Sequence, residues 1–203
     1  MDKIKISLPA LAITVFSASF YDVRFLAAAI AAAIIHEGGH LAVLKLGKCS
    51  VTEIYIGLCG AKIEYICPRQ KSYLFDVLAA AAGPLFNAAA LFLSVCLLSP
   101  GSLSAVYGVG FNAIFAVFNL LPAPPLDGGR ILSALISRRF GPDTAEKAER
   151  ICTLCCGATL AAAGLALWLC RGGNGTLFAA SAVILAELPR KKLYRNPFKS
   201  YYK

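Results

Sequence analysis

The sequence is short of charge, of acid and of histidine, and it has no polar stretch long enough for a soluble domain. Only 15% of its 203 residues are charged. The connections between its apolar runs leave no room for a separate water-soluble module of ordinary size. Internal repeats and low-complexity segments are missing too, apart from alanine-rich runs, which removes the paired-repeat mark of many transporters. Histidine occurs twice, at 36 and 40, so a three-histidine metal centre is excluded. Eight cysteines are present but scattered, several inside apolar runs. There cysteine acts as a small hydrophobe, so no disulfide framework is expected, and Cys152, Cys155 and Cys156 read as helix packing.

Apolar residues are abundant: 58% hydrophobic, with a mean hydropathy of +0.68. Soluble domains lie nearer half. Six spans are expected, at Ile6–Phe20, Phe25–Leu46, Leu74–Leu98, Leu103–Leu121, Ile151–Cys170 and Thr176–Leu188. The first is short, and Ser17-Ala18-Ser19 resembles a signal-peptidase site; an uncleaved helix is the expectation. The formal charge of +9 could suggest nucleic acid. Because the basic residues lie between and after apolar runs, anchoring in an anionic leaflet explains them better. With both termini and the 47–73 and 122–150 segments on one side, that side carries all Lys and Arg except Arg24 and Arg171. It is therefore read as cytoplasmic, in a bacterial cytoplasmic membrane.

Residues 49–67 are rich in β-branched and aromatic side chains, with Gly57 and Gly60 as turn residues. They read as a β-hairpin at the interface or beside a water-filled cavity, or else as an ordinary loop. Residues 138–150 read as a polar connection, and the basic tail 189–203 as a segment lying on an anionic surface. The expected fold is an all-α polytopic membrane protein of about six transmembrane helices, with a short β-hairpin and a proline-broken fourth helix. One integral-membrane domain spans 1–203, with a C-terminal helical hairpin at 151–188.

The chemistry lies in His36-Glu37-Gly38-Gly39-His40. Residues four apart share a helix face. Two imidazoles there can bind one Zn²⁺, and the adjacent carboxylate of Glu37 can work on its water. His36 sits at about 15 Å depth by helical rise, where polar groups are costly and functional by default. Gly38 and Gly39 weaken the helix and suit a close approach of something to its backbone. A catalytic zinc needs a third protein ligand, which must be Asp, Glu or Cys. Asp76 and Glu187 fall at span ends. Asp127 lies in Asn119-Leu-Leu-Pro-Ala-Pro-Pro-Leu-Asp-Gly-Gly129, where Pro122, Pro124 and Pro125 break the helix and Gly128 and Gly129 let the backbone turn. Alone, Asp127 would read as a cap for a helix starting at Gly129; beside the histidine pair it reads as the third ligand. Asn119 could stabilise an oxyanion or hold substrate backbone, or bond another helix. Gly83-Pro84-Leu85-Phe86-Asn87 reads as scaffold, with Asn87 bonding across to another helix.

HEGGH at 36–40, AGPLFN at 82–87 and NLLPAPPLDGG at 119–129 together resemble the site-2 protease family of intramembrane zinc metalloproteases, in order and spacing. The matching core, about 25–137, covers over half the chain. The resemblance implies one zinc ion on His36, His40 and Asp127, Glu37 as catalytic base, and Asn119 near the substrate or oxyanion. It implies a site within the bilayer but open to cytosolic water, and a membrane-embedded or membrane-associated protein substrate. A regulatory partner is compatible with it. The PDZ and CBS modules of some members have no counterpart here. The compact layout is most similar to the branch that processes a sporulation sigma-factor precursor. The alternative is a metal-ion or proton transporter using the same buried groups.

Overall fold

The computed structural model describes residues 3–7, 21–57, 60–68, 71–171, 175–186 and 188. Most of the expected first span, residues 8–20, and the basic tail lie outside these. The described chain divides into two compact units, 1–120 and 121–203.

The first unit contains three helices and a small sheet: α1 Val23–Leu46, α2 Tyr73–Leu97 and α3 Leu103–Asn119. Each helix starts where a short polar side chain covers an orphan backbone N–H. Asp22 Oδ1 accepts from Arg24 N at 2.6 Å, Ser72 Oγ from Phe75 N at 3.3 Å and Ser102 Oγ from Ala105 N at 3.2 Å. α1 ends at Gly47, followed by Lys48 in the left-handed region at φ 56°. The three helices pack on one another. Phe25 of α1 meets Tyr107 and Phe111 of α3 edge-on, at centroid distances of 5.5 and 4.8 Å. Large apolar side chains point outward, among them Ile34, Leu85, Phe92, Leu97 and Val117, whereas His36, His40, Asn87 and Asn112 point inward. A soluble protein would rarely expose so many large apolar side chains on its long helices.

The hairpin is present, and it is part of a three-stranded sheet. β1 Lys3–Ile6 pairs parallel with β2 Ser50–Gly57, which pairs antiparallel with β3 Gly60–Ile66. Ile6, expected to open the first span, therefore ends a strand. Lys5 Nζ meets Glu53 Oε2 at 2.7 Å across the parallel pair. The antiparallel register sets Ser50 opposite Ile66, so the flanking Cys49 and Cys67 come together and form a disulfide. This corrects the expectation of unpaired cysteines. Counting and spacing could not find the pair, because strand register brings the two ends together.

In the second unit, α4 Asp127–Phe140, α5 Pro142–Arg171 and α6 Thr176–Ala186 pack in sequence. Residues 138–150 form no open polar connection. Gly141, at φ 88°, ends α4, and Pro142 immediately starts α5 with its fixed φ. Ala145 and Glu149 are buried within this segment. α5 and α6 approach closely at Gly157, where a Cβ would fall 2.4 Å from Leu185 Cδ2. Ser181 Oγ donates to Gly157 O at 2.9 Å across the same contact.

Among the described residues, three helices are long and apolar enough to cross a membrane: Val23–Leu46, Tyr73–Leu97 and Pro142–Cys170. Leu103–Asn119 and Thr176–Ala186 are apolar but shorter, below the roughly 20 residues of a full span. Three of the six expected spans thus have full-length helices, two coincide with these shorter ones, and residues 8–20 of the first lie outside the described residues.

Gly38 and Gly39 differ in kind. A Cβ at Gly39 would fall 2.5 Å from Ala82 O of α2, whereas one at Gly38 meets nothing within 4 Å. Gly39→Ala should therefore destabilise the protein by about 1–3 kcal/mol through overpacking. Gly38→Ala should be neutral or slightly stabilising through helix propensity. Thermal unfolding of both variants in detergent measures the contrast.

Candidate metal centre

α1 carries both histidines on its buried side, one turn apart. Their rings meet edge-on with centroids 4.8 Å apart, and the two Nε2 atoms are separated by 3.2 Å. Both residues are more than nine-tenths buried. The Nδ1 side of each ring is anchored to α2: His40 Nδ1 lies 2.7 Å from Ala79 O, and His36 Nδ1 lies 2.8 Å from Asn87 Oδ1. A backbone carbonyl only accepts, so His40 Nδ1 carries the hydrogen, and in the neutral ring Nε2 is the atom left to accept or to bind a metal.

α2 can come this close because position 83 lacks a side chain. A Cβ on Gly83 would fall 2.4 Å from His40 Nε2 and 2.8 Å from His36 Cε1. Phe115 of α3 closes another side, its ring centroid 5.7 Å from that of His36. Glu37 is half-buried on the neighbouring face of α1.

Asp127 is the first residue of α4, not a loop residue, and the helix begins two residues earlier than Gly129. It is 5% exposed. A carboxylate at this position also suits the positive end of the helix. Arg130, one turn on, holds Asp127 Oδ1 at 3.1 Å, so Oδ1 is oriented while Oδ2 has no part in that ion pair. Gly129 acts through close approach: a Cβ there would fall 2.6 Å from Ala123 C and Pro124 N of the preceding loop.

One ligand atom from each of His36, His40 and Asp127 can be chosen so that all lie within 4.8 Å of one another, and all three residues are buried. The nitrogen spacing suits zinc. Two nitrogens at about 2.0–2.1 Å from a tetrahedral zinc stand about 3.3 Å apart, close to the 3.2 Å observed. Two imidazoles and one carboxylate are a common set of catalytic zinc ligands.

Asn119 is the last residue of α3, and its Nδ2 donates to Phe115 O of its own helix at 3.0 Å. Sequence reasoning missed Asn112, buried on α3 and bonded to Asn87, and Arg130. An amide inside an apolar helix, and a cation three residues after the aspartate, were the available signals.

Residues 101–163 match Peptidase family M50. Over 165 residues, 74% of the chain, the sequence is 30% identical to the provisionally named zinc metalloprotease Rip3 of Mycobacterium tuberculosis, covering 41% of that protein. The chain resembles peptidase family M50. A second provisionally named zinc metalloprotease, from Methanocaldococcus jannaschii, is 35% identical over 75 residues, 34% of this chain and 37% of its own length. The chain thus spans about two fifths of the length of these relatives. Its fold is similar to that of the site-2 protease from Methanocaldococcus jannaschii, with a TM-score of 0.62, 21% identity, and coverage of 90% of this chain and 87% of that one. With its three long apolar helices and this family likeness, the chain is an integral membrane protein.

Single substitutions should empty the centre without unfolding the chain. The parent is expected to hold about one zinc per chain, and His36→Ala, His40→Ala and Asp127→Ala to hold almost none. Gly83→Ala should join them although it removes no ligand. Elemental analysis of detergent-purified protein, alongside circular dichroism, reads both properties.

Proposed function

We propose that this chain is an intramembrane zinc metalloprotease that hydrolyses peptide bonds in or near the transmembrane segments of membrane-bound regulatory proteins. The observation that carries the reading is the convergence of His36, His40 and Asp127 donor atoms, with Glu37 beside the first imidazole. Bound there, zinc supplies Lewis-acid polarisation of the scissile carbonyl and lowers the pKa of water to near 7.

The remaining steps belong to the chain's own groups. The Glu37 carboxylate accepts a proton from the attacking water and delivers it to the leaving amide nitrogen. Asn119, by turning its amide away from Phe115 O, donates to the developing oxyanion or to substrate backbone. The substrate must unwind locally, since helical carbonyls are already hydrogen-bonded, so helix-breaking residues favour cleavage. Because β1 covers one edge of β2, an extended substrate segment would add to the outer edge of β3. In layout the chain suits the processing of a sigma-factor precursor, as the sporulation branch of the family does.

Glu37→Gln decides between protease and transporter. It should retain zinc at the parent stoichiometry while cleavage of a membrane substrate falls at least about 10²-fold. Equal cleavage by both proteins would remove Glu37 from the mechanism, and zinc movement into liposomes would favour the transporter.

The basic-residue bias supports cytoplasmic termini and a cytoplasmic 47–73 segment. The Cys49–Cys67 bridge pulls the other way, since cytosolic thiols are normally kept reduced. Lys48 and Lys71 should resist a membrane-impermeant amine reagent in intact cells and react once the membrane is opened. Labelling in intact cells would reverse the orientation.

A further inference from the structure

We propose that Asn87 and Asn112 are positioning residues that determine which nitrogen of His36 carries its hydrogen. The inference rests on the reading of His36 as a zinc ligand. Asn87, in α2, is fully buried. Its amide has two N–H donors and one acceptor oxygen. Both donors are used: Nδ2 donates to Ala32 O of α1 at 2.9 Å and to Asn112 Oδ1 of α3 at 2.9 Å. Ala32 O is a carbonyl and can only accept, so reversing the amide would set oxygen against oxygen in an apolar interior, at a high desolvation cost.

That orientation aims Asn87 Oδ1 at His36 Nδ1, 2.8 Å away. An amide oxygen only accepts, so Nδ1 carries the hydrogen and Nε2 presents its lone pair beside the lone pair of His40. Asn112 is oriented in turn, because its Nδ2 donates to Gly108 O one turn earlier in α3 at 2.8 Å. This leaves Asn112 Oδ1 to face Asn87. The relay runs from a backbone carbonyl of α3, through two amides, to the metal-binding face of α1. His40 reaches the same state through a single backbone carbonyl, Ala79 O. The two rings are thus prepared by separate routes. General helix-to-helix glue would act on both rings together; a tautomer relay acts on His36 alone.

The full-length protein in detergent supplies two readouts. The first is zinc affinity by chelator competition. The second is the imidazole ¹⁵N shifts of the zinc-free protein at a pH where both rings are neutral. The parent should show both rings with hydrogen on Nδ1. Asn87→Leu should weaken zinc binding about 10–100-fold and move His36 to a mixture of tautomers while His40 stays unchanged. Asn112→Leu should do the same to a smaller degree, and it carries the test if Asn87→Leu does not fold. Zinc affinity within twofold of the parent for both leucine variants, an unmoved His36 ring, or equal movement of both rings would overturn the proposal. If the parent binds no zinc yet Asn87→Leu still shifts only His36, the relay stands and the metalloprotease reading falls. If parent and leucine variants bind zinc equally, the relay alone falls.

Discussion

Everything at the centre follows from two ring nitrogens held 3.2 Å apart inside an apolar helix bundle. His40 Nδ1 is committed to a carbonyl, which in the neutral ring leaves Nε2 as the atom able to bind a metal. Two such nitrogens can share one cation, and the low dielectric of the surroundings strengthens their hold on it. The bundle is built to create this arrangement. Gly39 lets α2 approach the backbone of α1, and Gly83 lets it pass beneath both rings. Replacing either glycine with a larger residue would push α2 away. Asn87 and Ala79 O, whose distances to the rings depend on that contact, would then move away as well.

The second unit contributes a different kind of control. Asp127 opens α4 because the proline-rich segment before it cannot continue α3, and because Gly129 lets that segment fold back over the new helix. Arg130 engages one carboxylate oxygen. A charged group is therefore buried with its orientation already set, so less reorganisation is needed when it is used. The family match falls on residues 101–163, the stretch that contains this aspartate and lacks the histidine helix. The relative from Mycobacterium tuberculosis covers more of the chain and carries the assignment further.

The candidate site residues were the most legible part of the sequence. Polar groups inside apolar runs have few structural excuses, so His36, His40, Glu37 and Asp127 stood out. The long apolar helices were also legible, because hydropathy reports lipid exposure directly: Val23–Leu46 and Tyr73–Leu97 start and end within two residues of expectation. Properties set by tertiary geometry were not. The strand Lys3–Ile6 is four residues long, and its meaning comes from a partner about fifty residues away. The Cys49–Cys67 bridge depends on strand register, and the helical start of α5 on how Ala145 and Glu149 are buried. Gly83 read as a general small residue for helix contact, when its neighbours are the two imidazoles themselves. Asn112 went unnoticed because a single amide in a helix says nothing until its partner is known.

The most direct test is zinc X-ray absorption spectroscopy on the purified protein. The account predicts a four-coordinate ion with two imidazole nitrogens at about 2.0–2.1 Å, oxygen in the remaining positions and no sulfur. Loss of the zinc signal itself in His40→Ala would follow from the same arrangement. A sulfur shell at about 2.3 Å would place the metal among the cysteines, and a spectrum indifferent to His40 would contradict the claim that these two rings share one ion.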